Sequence, residues 1–539
     1  MSDLPWWKTT TIYHIYPRSF QDSNGDGVGD LRGVIRRLDY IRDLGFETIW
    51  LSPFFDSPQR DGGYDVRDYC GVAPEYGTLA DADDLIAEAH ARGMRVLFDL
   101  VLNHTSDEHP WFRESRQSRQ NPRRSWYIWR DGRGRKPPNN WKSFVGGSGW
   151  HFDPQTQQWY YASFLPFQPD LNYRNPQVKE AMFDVARFWL ARGVDGFRLD
   201  IFHAIYKDAH FRDNPFSWRY IPNGEAGFFQ RMRYNLHRPE TFALARELRA
   251  LAGEFEPERM LLGEVFGAPR TVRRYLGEEG DGLNLIFQWD LLSARPVASV
   301  FQQVLQHYER EYPAPLLPVL VWGNHDVKRV LSRLKQANNL ALARLLALFQ
   351  LTARGVPVVY YGEEIGMLDL PIPPQEAKDP LAQRYRWVPP WLADLLGLYL
   401  NRDGCRTPMQ WDDSPNAGFC PPDAQPWLPV HPLAHVRNVE AQRDDPASLL
   451  NVYRNLLHLR REHPALHAGT LDLLDAPDLV AYRRRHAEED LIVVFNPADR
   501  AMRGLPEFRG AEVLFAVGLE SSRWEGALPP FSGALIKPR

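Results

Sequence analysis

Short apolar runs recur along the chain at 11–17, 46–51, 94–102, 195–200, 260–265, 283–288, 317–323 and 356–362, each bounded by polar or turn residues. Their length and their content of Val, Ile, Leu and aromatics suit buried strands. Between most of them, at 31–44, 80–92, 178–192, 239–252 and 338–352, apolar residues fall at helical spacing instead. Eight strands alternating with helices predict an α/β fold, a parallel (β/α)8 TIM barrel. A doubly wound open sheet is the alternative, but no Gly-x-Gly-x-x-Gly follows the first strand.

Two features break the alternation. The segment 105–173 is long, polar and rich in Arg, Trp, Gly and Pro. Its length predicts a functional lid or small subdomain rather than a plain connection. The tail from 467 changes to short alternating strands such as Leu491-Ile492-Val493-Val494-Phe495. The division expected is therefore a barrel from 1–104 and 174–466, an inserted subdomain at 105–173, and a C-terminal all-β domain at 467–539.

Chemistry in such barrels gathers at the C-terminal ends of the strands. The fourth strand closes in Gly196-Phe197-Arg198-Leu199-Asp200. Side chains alternate along a strand, so Phe197 and Leu199 share one face while Arg198 and Asp200 share the other. An arginine so placed favours the ionised carboxylate that a nucleophile needs, although pairs at this spacing are usually structural. The fifth strand places an acid, Glu264, directly after the apolar Leu261-Leu262-Gly263. Burial disfavours carboxylate charge, which is how general acids stay protonated. The third strand ends in Asp99-Leu100-Val101-Leu102-Asn103-His104 and the seventh in Asn324-His325-Asp326. Gly62-Gly63-Tyr64-Asp65 follows the second strand, and Arg402-Asp403-Gly404-Cys405-Arg406 follows the eighth. Asp200, Glu264 and Asp326 thus come from three strands of one barrel, with His104, His325, Arg198 and Arg406 around them. Carboxylates in different environments are what glycosyl transfer through an oxocarbenium-like transition state requires. No Gly-x-Ser-x-Gly elbow or phosphate loop competes.

A further loop, Asp22-Ser23-Asn24-Gly25-Asp26-Gly27-Val28-Gly29-Asp30, carries oxygen ligands at alternate positions. It suits a structural Ca²⁺ or Mg²⁺ held by Asp22, Asn24, Asp26, the Val28 carbonyl and Asp30. Position twelve is Gly33, so this is not an EF-hand.

Composition narrows the classes. A net charge of −4 gives no nucleic-acid signature, and no run reaches membrane-spanning length. The start lacks an apolar signal core, and the three cysteines (Cys70, Cys405, Cys420) are spaced for neither disulfides nor zinc. A soluble cytoplasmic protein is expected. The 18 Trp and 22 Tyr among 539 residues include flat rings that suit sugar faces.

Asp99–His104, Gly196–Asp200, Gly263-Glu264-Val265 and Asn324-His325-Asp326 resemble, in order, the four signature regions of the α-amylase family of glycoside hydrolases. Gln168-Pro169-Asp170-Leu171-Asn172 and Arg402–Trp411 are similar to its oligo-1,6-glucosidase and α-glucosidase branch. The resemblance implies that Asp200 is the nucleophile, Glu264 the acid and base, and Asp326 the group on the 2- and 3-hydroxyls. It implies that His104, His325 and Arg198 line the glucose subsite, with Tyr64 and Phe164 offering ring faces. Asp65 and Arg406 would close that subsite into a pocket, making an exo-acting α-glucosidase on short substrates, with no cofactor for catalysis. Linkage stays open: Ile201, after the nucleophile, is closer to the valine of α-1,6 enzymes, whereas Asp379-Pro380 and Gly404-Cys405 look more like maltose- or sucrose-acting relatives. Transglucosylating relatives, a non-enzymatic scaffold barrel and an endo-amylase are the alternatives. A monomer or small homo-oligomer without nucleic-acid or membrane partners is expected.

Overall fold

The computed structural model describes residues 4–221, 224–487 and 489–538. All eight expected strands form: β1 (Ile12–Ile15), β2 (Thr48–Leu51), β3 (Arg95–Leu100), β4 (Gly196–Leu199), β5 (Met260–Gly263), β6 (Leu285–Ile286), β7 (Val319–Val321) and β8 (Val356–Tyr360). They pair in parallel in the order β6-β5-β4-β3-β2-β1-β8-β7. A parallel bridge from Phe287 to Val319 joins the two outer strands and closes the barrel.

Burial on both faces explains why these strands read as continuous apolar runs. Ile12, Trp50, Leu97, Met260, Leu262, Leu285, Val319, Val321, Val356 and Val358 fill the barrel interior. Their neighbours Tyr13, Ile49, Phe98, Phe197, Leu199, Leu261, Ile286, Leu320 and Val359 pack outward beneath the helices. Gly196 (φ +156°) is required where β4 meets β5, because a Cβ there would lie 1.9 Å from the Met260 carbonyl oxygen.

The surrounding helices are α1 (Leu38–Leu44), α2 (Leu79–Ala91), α3 (Pro176–Ala191), α4 (Pro239–Ala252), α5 (Ala298–Glu311), α6 (Leu340–Thr352) and α7 (Leu449–Glu462). Thr78 and Asp81 form a capping box before α2, and Asn175 with Pro176 starts α3, so those boundaries were legible. The continuous helix expected at 31–44 is broken at Arg37 (φ −106°, ψ 5°) into Leu31–Arg36 and Leu38–Leu44. Helices α5 and α7 were not anticipated; α5 has no side-chain cap and only a narrow buried stripe of Phe301, Val304, Leu305 and Tyr308.

Between β3 and α3 the chain builds a small antiparallel sheet of Trp129–Arg130, Gln158–Tyr161 and Trp150–Asp153 over its own core of Ile128, Trp141, Trp150 and Tyr161. Bridges from His104 to Asp170 and from Tyr127 to Leu171 pin its two ends together at the barrel mouth. After α7, the strands β9 (Thr470–Leu473), β10 (Val480–His486), β11 (Glu489–Asn496), β12 (Glu512–Val517) and β13 (Ser532–Lys537) form an antiparallel sheet in the order β9-β10-β11-β13-β12. One face packs on the barrel, with Phe495 against Phe301 and Phe349 of α5 and α6. The other covers Trp524, Leu505 and Leu528. Among the described residues no helix is long and apolar enough to cross a membrane.

Candidate active site

Register places the polar centre. Asp99 on β3 pairs directly with Arg198 on β4, so both side chains enter the barrel interior at its C-terminal end. Arg198 is 1% exposed. Its Nη1 donates to Asp99 Oδ1 (2.9 Å) and Asp200 Oδ1 (2.8 Å), and its Nη2 lies 2.8 Å from Glu264 Oε2. The Ile201 backbone N–H also donates to Glu264 Oε2 (3.1 Å), which ties the ends of β4 and β5 together. Below them the guanidinium carbon stands 5.3 Å from the Trp50 ring, a cation–π support from β2.

One positive charge here faces three carboxylates. Burial pushes the Asp200 carboxyl well above the ordinary range, with the charges of Glu264 and Asp99 adding and Arg198 opposing. Asp99 is pushed up to about 6, again by burial first. The simple expectation that Arg198 holds Asp200 ionised is therefore corrected: burial first, then the charges of Glu264 and Asp99, outweigh a guanidinium shared among three acids. The cluster retains a proton to higher pH than isolated carboxyls would, and that proton belongs to the group as a whole.

Across the cavity, Asp326 has the opposite environment. Burial works against its charge, but the Arg402 and Arg406 guanidinium groups outweigh burial and hold its carboxyl well below the usual range. Arg406 Nη2 and Arg402 Nη1 both donate to Oδ1, at 2.9 and 3.1 Å. Burial lowers His325 to about 3, so it is neutral, and its Nε2 lies 2.7 Å from the Tyr64 hydroxyl. Tyr64 stacks on that imidazole at 12° and also reaches Asp99 Oδ2 (3.1 Å). His104, lowered by burial, contacts the Tyr64 carbonyl (3.1 Å) through Nε2.

These groups line or back a cavity of about 250 Å³, small beside the roughly 300–1,000 Å³ of sites for drug-sized ligands. Asp200, Glu264, Asp326, Tyr64, His104, Phe164 and Ile201 face it, and Arg198, His325 and Arg406 stand directly behind. Ile201 adopts φ +38°, a costly conformation for a β-branched residue, which turns the chain between Asp200 and the apolar wall of Phe164 and Phe266. The closed end differs from expectation. Asp65 lies off the cavity, its carboxylate taken up by the Ser57 hydroxyl and the Asp61 and Arg60 N–H groups. Asp61 and Arg402 hold the positions expected of Asp65 and Arg406, and they pair at 2.7 Å. Gln168 Nε2 donates to Asp61 Oδ2 (2.9 Å). Asp61, Arg402, Gln168, Phe266, Leu381 and Tyr399 were not anticipated as lining residues; the adjacent Gly62-Gly63 turn, the Arg402–Trp411 motif and the Gln168–Asn172 motif hinted at the first three.

The 22–30 loop stands apart and packs against Phe419 and Trp427. Asp22 accepts the N–H groups of Asn24, Gly25 and Gly27; Asn24 and Asp26 accept those of Asp26 and Val28. Asp30 accepts from Ser23 and caps the Leu31–Arg36 helix through Gly33. Among the described residues no three His, Cys, Asp or Glu side chains converge as a group able to hold a metal ion. Backbone amides thus brace this loop.

Comparisons with known proteins agree with this arrangement. The alpha amylase catalytic-domain family matches residues 14–469. A probable alpha-glucosidase of Rhizobium meliloti (strain 1021) is 42% identical over 513 residues, covering 93% of this chain and 90% of the relative. An oligo-1,6-glucosidase of Parageobacillus thermoglucosidasius is 37% identical over 533 residues, covering 94% and 92%. Among solved structures, the alpha-glucosyl transfer enzyme XgtA matches with a TM-score of 0.90 and 36% identity, covering 100% of both chains. A family match across most of the length, on a barrel whose strand ends carry Asp200, Glu264 and Asp326, places the chain: it belongs to the alpha-amylase family of glycoside hydrolases.

Proposed function

We propose that this glycoside hydrolase is an exo-acting, retaining α-glucosidase. It releases terminal non-reducing α-linked glucose from disaccharides and short oligosaccharides of the maltose, isomaltose or sucrose type. The observation that carries the reading is the single guanidinium of Arg198 spanning Asp200 and Glu264. A shared fork keeps two carboxyls at short range, as in retaining enzymes, where they stand about 5–5.5 Å apart with no room for a water between them. Asp200 attacks the anomeric carbon and forms a glucosyl ester. Glu264 protonates the departing oxygen and then takes a proton from the incoming water. Asp326, kept ionised by two arginines, receives the 2- and 3-hydroxyls and stabilises positive charge developing on the ring. Asp61, Arg402 and Gln168 close the far end, so one terminal sugar enters.

A second reading, transfer to a sugar acceptor, draws on the likeness to a solved alpha-glucosyl transfer enzyme. Both use the same glucosyl ester, and products formed from maltose and sucrose separate them. A cytoplasmic setting is supported by three free thiols, Cys70, Cys405 and Cys420. A Ca²⁺ or Mg²⁺ on Asp22, Asn24, Asp26, Asp30 and the Val28 carbonyl is proposed on donor chemistry alone; a Tm lowered by chelator and restored by Ca²⁺ supports it, and an unchanged Tm removes it.

Glu264→Gln is expected to lower kcat on maltose by about 10²–10⁴-fold, the usual worth of a general acid–base. The loss of kcat/KM on p-nitrophenyl α-glucoside should be smaller, because that leaving group hardly needs protonation; equal losses on both substrates would contradict the role. The Asp99 carboxyl, raised to about 6 in the folded state from an ordinary 3.8, binds its proton more tightly when folded. Its contribution to stability is therefore fully present below about pH 4 and is lost as pH rises to about 6. Asp99→Asn should flatten that part of the Tm-versus-pH curve, and parallel curves for the two proteins would rule out the shift.

A further inference from the structure

Arg402 is the only group at the closed end that touches both Asp61 and Asp326 among the described residues, and its orientation is set from behind. Nη1 donates to Asp326 Oδ1 (3.1 Å) and Nη2 to Asp61 Oδ1 (2.7 Å). The remaining edge of the guanidinium is taken by Asp379, with Nε to Oδ2 at 2.9 Å and Nη2 to Oδ1 at 2.8 Å, a two-point fork. Asp379 Oδ2 also accepts the Arg402 backbone N–H (2.7 Å), so main chain and side chain are held by one carboxylate. Asp379 is 1% exposed and does not face the cavity.

Asp379 is fixed in its turn. Asp403, next to Arg402, accepts the N–H groups of Lys378 (2.6 Å) and Asp379 (3.1 Å). Two segments more than twenty residues apart in the loop after β8 are thereby crossed over each other. The Arg402 guanidinium keeps the Asp379 carboxyl ionised, held below the ordinary range despite burial. Asp379 Oδ1 also accepts the Leu381 N–H (3.0 Å) and starts the helix Pro380–Arg384. That helix presents Leu381 to the cavity, and Arg384 donates to the Gly146 carbonyl of the inserted segment (2.8 Å).

We propose that Asp379 is a positioning residue for sugar recognition: it aims Arg402 so that Asp61 and Arg402 together read the hydroxyls at the closed end of the pocket. It touches no substrate itself. Without its charge, the guanidinium keeps Asp61 and Asp326 as partners but loses the fork that fixes its plane, and an amide in that place sets N–H against N–H. The inference rests on the glucosidase reading above.

The test compares kcat/KM for p-nitrophenyl α-glucoside and its 4-deoxy analogue. A site built to hydrogen-bond a hydroxyl rejects the analogue lacking it, by up to about 10⁴-fold, so wild type should favour the glucoside by about 10²-fold or more. Asp379→Asn should shrink that preference at least tenfold, toward the value for Asp61→Asn, with Tm within a few degrees of wild type. Should Asp379→Asn fail to fold, Asp379→Glu takes its place, where moving the fork by one methylene lowers the same ratio. Equal losses on both substrates, or no loss, would overturn the positioning role while leaving the enzyme a glucosidase. A wild type that hydrolyses neither substrate would instead overturn the functional reading beneath it.

Discussion

A single buried guanidinium shared by three carboxylates organises this molecule. Arg198 enters the barrel from β4 and meets acids from β3, from its own strand end and from β5. Taking such charges out of water costs several kcal/mol per ion unless each finds a partner in good geometry. The barrel supplies that geometry, since parallel register sets Asp99 beside Arg198 and leaves Asp200 and Glu264 one step beyond. The same arrangement buries the cluster and leaves it short of positive charge, and both effects raise the carboxyls of Asp200 and Asp99.

Opposite sides of the cavity are electrostatically unlike. On one side acids outnumber the cation; on the other, Arg402 and Arg406 converge on Asp326 and keep it ionised. Groups whose surroundings push their protonation apart can divide acid, base and charge-stabilising roles at a single pH. The rim is assembled from distant loops. The turn of the inserted segment has φ +87° at Gly146, a conformation that L side chains rarely adopt, and it lies against the Tyr385 hydroxyl. The Tyr385 hydroxyl and Arg384 donate to the Val145 and Gly146 carbonyls there, which seats the insert on the loop after β8.

Most of the barrel was legible as apolar runs buried on both faces, and its strand-end acids were legible because strands have a period. Alternation alone put Arg198 with Asp200 and away from Phe197 and Leu199. Loops carry no such period. Asp61 and Asp65 are separated by a Gly-Gly turn with φ of +58° and +96°, and nothing in the residues says which acid turns inward. Arg402 and Arg406 likewise flank one 3₁₀ turn, and only its geometry brings Arg402 to the cavity. The alternate oxygens of 22–30 suit a cation, but the same spacing serves a run of side-chain-to-backbone turns. Helix α7 was hidden for a different reason: its stripe follows a long irregular loop, without the preceding strand that marked the other helices.

The central claim is that Asp200 and Glu264 act on one anomeric carbon in two successive displacements. Following the anomeric proton signals during early hydrolysis of p-nitrophenyl α-glucoside by NMR tests this most directly. Double displacement requires α-glucose to accumulate first, with the β anomer growing in only as the sugar mutarotates. β-Glucose as the first product would mean that water attacks directly, and the shared Arg198 fork would then have no part in bringing a nucleophile to the sugar.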